Sequence, residues 1–276
     1  MATNKTIDIK QSLEFFFKLP DWKMRTLWIG GITALLIALY VIVMLFWFVP
    51  IIGWIIGCCL IFFLAVGYLV FWIGIIGYQY EIIRRVKQNK PIETLKFNLF
   101  KKEQFRHGLK LFLGDALYSI PALVLYSLTY GFMFLPVLFV GQTESNSTSA
   151  SELLILPFML ISYLPMFLGW FYLMFQQFFI FPSIRVVYTR NEKFSDMFDF
   201  KHIWRFIKKN LVNFLLYFAI FFAIMMLMQF LFMLSFFLIF ICIGILVTPI
   251  LISISVTYFV HVQAHIIGQM AKVNKE

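Results

Sequence analysis

Charge is what this sequence lacks over most of its length. Lys, Arg, Asp and Glu make up 13% of it and are absent from 26–80, 116–143, 153–184 and 210–271. With 62% of the 276 residues apolar, a water-soluble globule would expose large apolar patches, so that class is excluded. Catalytic signatures are missing too: no Walker loop, no GxSxG elbow, no HExxH and no paired-acid motif occurs. The polar segments reach only about 25 residues, too short to bury a catalytic core of their own. Cysteine is scarce, limited to Cys58, Cys59 and Cys242 with no CxxC pair. Adjacent cysteines bridge each other only with strain, so these read as small apolar residues, a bridge from Cys242 to the pair being the alternative. No catalytic residue, cofactor site or metal site emerges, and the expectation is a protein that is not an enzyme.

What the sequence has instead is long apolar runs. Each uncharged stretch is long enough for one or two helices crossing a hydrocarbon core of roughly 30 Å at about 1.5 Å per residue. In lipid the backbone must satisfy its own hydrogen bonds, and the runs show no period-two alternation that would suit a barrel. The fold class is therefore all-α: a polytopic transmembrane helical bundle forming one integral membrane domain over 1–276. About six spans are expected, at 26–48, 51–80, 109–140, 153–184, 209–236 and 241–270. The first is too long for a cleaved signal peptide and leads straight into the second. Val49-Pro50 and the polar run 141–151 mark clear breaks. The junction of spans five and six is unmarked, and Thr248-Pro249 is an alternative start for the sixth.

The cations orient this bundle. Five Lys/Arg precede the first span, nine lie in 84–110, seven in 185–209 and two near the C-terminus, which accounts for all 23. The other side carries only Glu144 and Glu152, so the net charge of +10 divides into +12 and −2. Under the positive-inside rule both termini are cytoplasmic, in a plasma membrane. Anionic headgroups then account for the basic charge, and no nucleic-acid partner is needed.

The cytoplasmic segments look like amphipathic interfacial helices. Ile9, Leu13, Phe16 and Phe17 share one face of the 1–25 segment. Ile92, Leu95, Leu99 and Phe100 do so in the first loop, and Phe200, Ile203, Trp204, Ile207 and Leu211 in the second. Such stripes fit either a headgroup boundary or the end of the bundle. A repeat is also visible: 83–97 aligns with 186–200 at an offset of 103, and 265–275 echoes 81–90. The reading is three helical hairpins repeated in parallel about a membrane-normal axis.

Several short stretches carry a resemblance. They are Ser12-Leu13-Glu14-Phe15 through Pro20-Asp21-Trp22, Ile29-Gly30-Gly31, Pro50-Ile51-Ile52-Gly53, Gly67-Tyr68, Arg84-Arg85, Gly108-Leu109-Lys110, and Phe198-Asp199 through Lys208-Lys209-Asn210. With these the chain resembles the domain-of-unknown-function 4013 family of prokaryotic membrane proteins over most of its length. The resemblance implies a multi-pass prokaryotic membrane protein and supplies no catalytic or binding residues.

Candidate sites follow from position. Arg84, Arg85, Lys87, Lys101, Lys102, Lys208 and Lys209 flank the amphipathic stripes and are candidates for contact with anionic lipid or a partner. Asp115 is the one acid inside a span, and with Gln176 and Gln177 it forms the candidate intramembrane polar site. The bland reading of Asp115 is a helix-end carboxylate that pairs with Lys110 or Arg106 or reaches water. His261 and His265 share a helical face, but zinc wants a third ligand. His107 and His202 are the other histidines. Gly53, Gly57, Gly67, Gly74 and Gly77 favour close packing of the second span. The leading expectation is a non-enzymatic membrane module that organises lipid or a partner complex, a membrane protein or a second copy, through its basic face. The alternative is a transporter or channel subunit.

Overall fold

The computed structural model describes residues 6–46, 52–95, 97–140, 148–239 and 243–273. Val49-Pro50, most of the polar run 141–151, Cys242 and the junction of spans five and six at 240–242 lie outside them. The described residues are helical and include no strand. Six helices are long and apolar enough to cross a membrane: Trp22–Met44, Trp54–Lys87, Lys102–Leu135, Pro157–Asn191, Leu211–Ser235 and Val247–Val273. The chain is a multi-pass helical membrane protein.

In chain order, α1 (Ile9–Lys18) and the short α2 (Trp22–Arg25) lead through a π turn at Thr26–Gly30 into α3 (Gly31–Phe46). Two long helices follow, α4 (Ile52–Lys87) and α5 (Lys102–Val140). Next, α6 (Thr148–Phe175) passes through a second π turn at Gln176–Ile180 into α7 (Phe181–Asn191). After a 3-10 turn at Phe194–Phe198 come α8 (Phe200–Lys209), α9 (Leu211–Ile239) and α10 (Ile243–Val273). The structure divides into two compact units, Met1–Phe112 with Ile184–Glu276, and Leu113–Ser183; the boundary falls inside α5 and α7.

In the first unit α10 is the inner helix, touching α1, α3, α4, α9 and the first π turn. Its composition explains why: Thr257, His261, Gln263, His265 and Gln269 are all buried, alongside Ile266, Ile267 and Met270. A span that meets protein on most sides can carry polar groups, because neighbouring helices supply partners that lipid cannot. The first turns of α5 cross α4 at Gly77 and Gly108. A Cβ on Gly77 would strike the Gln104 carbonyl, and one on Gly108 the Ile73 carbonyl. Gly74 faces Leu99, whereas Gly67 meets nothing within 4 Å. Within the chain, the close packing expected of the second span is found at Gly74 and Gly77, while Gly67 faces open space.

The second unit pairs the rest of α5 with α6. Tyr172 donates to the Tyr118 carbonyl at 2.7 Å, and the Gly169 position lies against Leu125 and Tyr126. Leu160, Leu164, Phe167 and Phe171 face outward, as suits a hydrocarbon surface.

One expectation needs correcting. The first-loop stripe is not an interfacial helix: residues 88–95 and 97–101 form turns. Pro91 has no N–H to give a helix, Thr94 Oγ1 bonds to the Pro91 carbonyl, and Asn98 accepts from the Phe100 amide. Leu95 and Leu99 are buried in the bundle rather than laid on a surface. The helices run further toward the charged end than the spans read from the sequence. They reach Lys87 instead of 80, start at Lys102 instead of 109, and end at Asn191 instead of 184, because cations past the hydrocarbon edge do not break a helix. The repeat leaves a backbone trace. Asn89 (φ 55°) and Glu192 (φ 59°) are the left-handed non-glycine residues among those described, and they lie 103 apart. Each sits just past a helix C-terminus, where that conformation closes the last turn.

Candidate functional site at the basic end of the helices

The residues that precede the first span and leave the second are tied together by a buried cation. Arg25 is fully buried. Its Nε donates to Asp21 Oδ1 at 2.7 Å, one terminal nitrogen donates to the Tyr78 hydroxyl, and the other donates to the Leu95 carbonyl at 2.9 Å. Direction passes along the chain of bonds. His261 Nδ1 lies 2.7 Å from the Thr257 carbonyl, which only accepts, so Nδ1 carries the proton. The opposite nitrogen, Nε2, is then free to accept from Tyr78 at 3.1 Å. A second relay crosses four helices. Arg185 donates to Gln79 Oε1 at 2.9 Å, Gln79 to Gln263 Oε1 at 3.0 Å, and Gln263 to the Tyr217 hydroxyl at 2.9 Å.

Beside these networks a polar cavity of about 530 Å³ opens. Its walls come from the last turns of α4 (Tyr80, Glu81, Arg84), from Lys101 and the first turns of α5 (Lys102, Glu103, Gln104, Arg106, His107), and from Glu192 past α7. Tyr80 stacks on His107 with centroids 4.5 Å apart and donates to Glu192 Oε1 at 2.6 Å. That hydrogen bond, aided by the charges of Arg84 and Lys110, holds the Glu192 carboxyl below the usual carboxylate range against the pull of burial. His107 Nδ1 meets the Tyr188 hydroxyl at 2.8 Å. Arg84 lies 3.7 Å from Glu81 and 3.9 Å from Glu192, and Lys101 lies 3.5 Å from Glu103. Lys102 and Arg106 have no carboxylate partner among the described residues.

The predicted contact residues separate into three groups. Arg84, Lys101 and Lys102 meet at this cavity. Arg85 and Lys87 serve the fold instead. Arg85 bonds to Glu81, the Pro91 carbonyl and Thr94, while Lys87 donates to the Thr189 carbonyl at 2.6 Å, capping α7. Lys208 and Lys209 project from α8, where Lys208 Nζ stands 5.5 Å from the Trp204 ring centre. Asp199 caps α8 by accepting from the His202 amide at 2.9 Å. The helix buries Ile203, Phe206 and Ile207 in the bundle and exposes Phe200 and Trp204. Helix α1 divides the same way. Phe16 is buried and Ser12 meets His265 Nδ1 at 2.9 Å, while Phe17 is exposed.

The intramembrane trio is partly assembled within the second unit. Gln176 is buried and donates to Ser119 Oγ at 2.7 Å and to the Asp115 backbone carbonyl at 3.3 Å. Asp115 is buried rather than open to water, and half-buried Gln177 makes no side-chain hydrogen bond among the described residues. His261 and His265 do not converge: one bonds to Tyr78 and Thr257, the other to Ser12 with its ring stacked on Phe15. His202 meets Arg190 and His107 meets Tyr188. Tyr80, Gln104 and Glu192 were not visible as site residues in the sequence. Lys102 and Arg106, four apart where a span begins, were the one local signal.

No curated protein and no solved structure matches the chain. A family model described as "Protein of unknown function (DUF4013)" matches residues 60–242. The match holds the whole cavity lining and α8, and leaves Pro20-Asp21-Trp22, Ile29-Gly30-Gly31 and Pro50-Ile51-Ile52-Gly53 outside it. It spans more than half of the 276 residues, and the chain, all-α and multi-pass, belongs to this domain-of-unknown-function 4013 family.

Proposed function

We propose that this protein is a non-enzymatic module of a prokaryotic plasma membrane, its basic end cytoplasmic and held against anionic lipid headgroups. On that side it organises lipid or a membrane-protein partner. The outer face of α8 carries the reading. Phe200 and Trp204 are exposed there beside the exposed Lys201, Lys208 and Lys209, while the opposite face is committed to the bundle. An aromatic body with a cation over it suits the headgroup level, where apolar rings enter the acyl boundary and ammonium groups meet phosphate. Each cation near an anionic leaflet contributes on the order of 1 kcal/mol, screened by salt.

The test is the lipid that stays with the full-length protein during purification in mild detergent. Anionic phospholipid should be enriched over its membrane share. Replacing Lys201, Lys208 and Lys209 together by Gln should remove much of that enrichment without changing the elution volume. Retained lipid that mirrors the bulk membrane, or that is indifferent to the triple change, would sink this reading.

A further inference from the structure

The cavity between α4, α5 and Glu192 has features that the fold itself does not use. Lys102 and Arg106 stand one helical turn apart with no carboxylate partner among the described residues, although Glu81, Glu103 and Glu192 line the same space. They sit at the N-terminus of the 39-residue α5, whose dipole and first amides favour negative charge. Lys101 precedes the helix, its carbonyl accepting the first helical bond from Phe105, yet a lysine side chain has no acceptor with which to cap those amides. Independently, Gln104 lines the cavity, is only 5% exposed, and its side-chain carbonyl Oε1 meets no donor among the described residues. A buried acceptor left unmet is unfavourable, so a bound group that brings its own donor would relieve it.

We infer that this cavity is a binding site for a phosphate ester bearing a hydroxyl, of the glycerol-phosphate headgroup type, with Lys102, Arg106 and the first turn of α5 holding the phosphate and Gln104 accepting from the hydroxyl. Glu192, fixed by Tyr80 at 2.6 Å, is a second acceptor at the rim. The volume of about 530 Å³ falls in the ordinary range for small polar ligands. Cations alone would take any anion; the pairing of cations with an unmet buried acceptor selects one that also donates. The assignment rests on the membrane-surface reading above, and it separates from that reading by residue: the cavity depends on Lys102, Gln104 and Arg106, the surface on α8.

Full-length protein in dodecylmaltoside would be titrated with dihexanoyl phosphatidylglycerol, dihexanoyl phosphatidylmethanol (the same phosphodiester without a hydroxyl), dihexanoyl phosphatidylcholine and sn-glycerol 3-phosphate. Tryptophan emission and the thermal midpoint are the readouts. Phosphatidylglycerol should bind roughly ten-fold tighter than phosphatidylmethanol, as one hydrogen bond to a buried acceptor implies, and phosphatidylcholine should be weakest. Gln104→Leu, or Gln104→Met should the first misfold, should erase the preference for glycerol over methanol while sparing methanol binding. Lys102→Ala with Arg106→Ala should weaken both anionic lipids by about ten-fold or more. Saturation by glycerol 3-phosphate as tight as by phosphatidylglycerol assigns the site to a soluble ester; much weaker saturation assigns it to the lipid. Equal affinity for the two anionic lipids, or binding untouched by the Lys102/Arg106 pair, overturns the cavity assignment. If α8 variants still lower lipid retention in that case, the surface reading survives it. If the cavity effects appear while α8 variants retain lipid normally, the surface reading falls and the cavity stands.

Discussion

Arg25 shows how little a residue's type says about its use. By composition it belongs with the five cations that precede the first span, whose expected service is to mark the cytoplasmic side. In the fold it is fully buried and joins Asp21, Tyr78 and Leu95. A guanidinium supplies five donors in a fixed plane, so its three nitrogens each meet a different partner here. Removing one member of a buried charged network typically costs about 3–5 kcal/mol, because the others are left unmet. Arg25→Met is expected to lower the thermal midpoint in detergent strongly. Arg25→Lys should recover only part of the loss, since an ammonium keeps the charge but not the fork. A midpoint within a degree or so of the natural protein for Arg25→Met would refute the clamp.

Among elements, glycines that look equivalent along α4 differ by what faces them. Gly77 admits the backbone of α5 so closely that a Cβ would collide with the Gln104 carbonyl, whereas Gly67 faces open space. Backbone cannot swing aside as a flexible side chain can, so Gly77→Ala is expected to cost on the order of 2 kcal/mol or to separate the helix ends. Gly67→Ala should be neutral or slightly stabilising through helix propensity. Comparing unfolding of the two variants in the same detergent checks this, and equal midpoints would mean that the α4–α5 crossing relaxes without cost. The crossing also matters to the cavity, because Gln104 is placed by it. Amphipathic stripes behaved differently from one another for a local reason. Those of α1 and α8 are helices with Asp8 and Asp199 as caps, each accepting an amide bond at 2.9 Å. The stripe residues 92–95 and 97–100 follow Pro91 and form turns that plug Leu95 and Leu99 into the bundle.

At the scale of the whole molecule, the segregation of 23 cations from Glu144 and Glu152 predicts the orientation. Reporters fused after Asn89, after Asn191 and at the C-terminus should report cytoplasm, and one at Ser147 the exterior. An exterior signal at Asn89 or Asn191 would overturn the six-span orientation. The sequence by itself determined the class, the number of spans and the family. Those follow from how far an uncharged run extends and from its sum of transfer energies, which need no knowledge of neighbours. It also carried the repeat offset of 103, which reappears in the left-handed residues Asn89 and Glu192. Only the tertiary structure decided which span is the inner one of the first unit, that Arg25 and Arg185 are internal, and that Tyr80, Gln104 and Glu192 meet Lys102 and Arg106 at one cavity. Burial and pairing are relations between helices far apart in the chain: a hydrogen bond from residue 80 to residue 192 leaves no periodicity in either segment. The seven contact lysines and arginines looked alike in the sequence for the same reason. Charge sets which side of a membrane a residue occupies, and only its neighbours decide whether that charge is left over for a ligand.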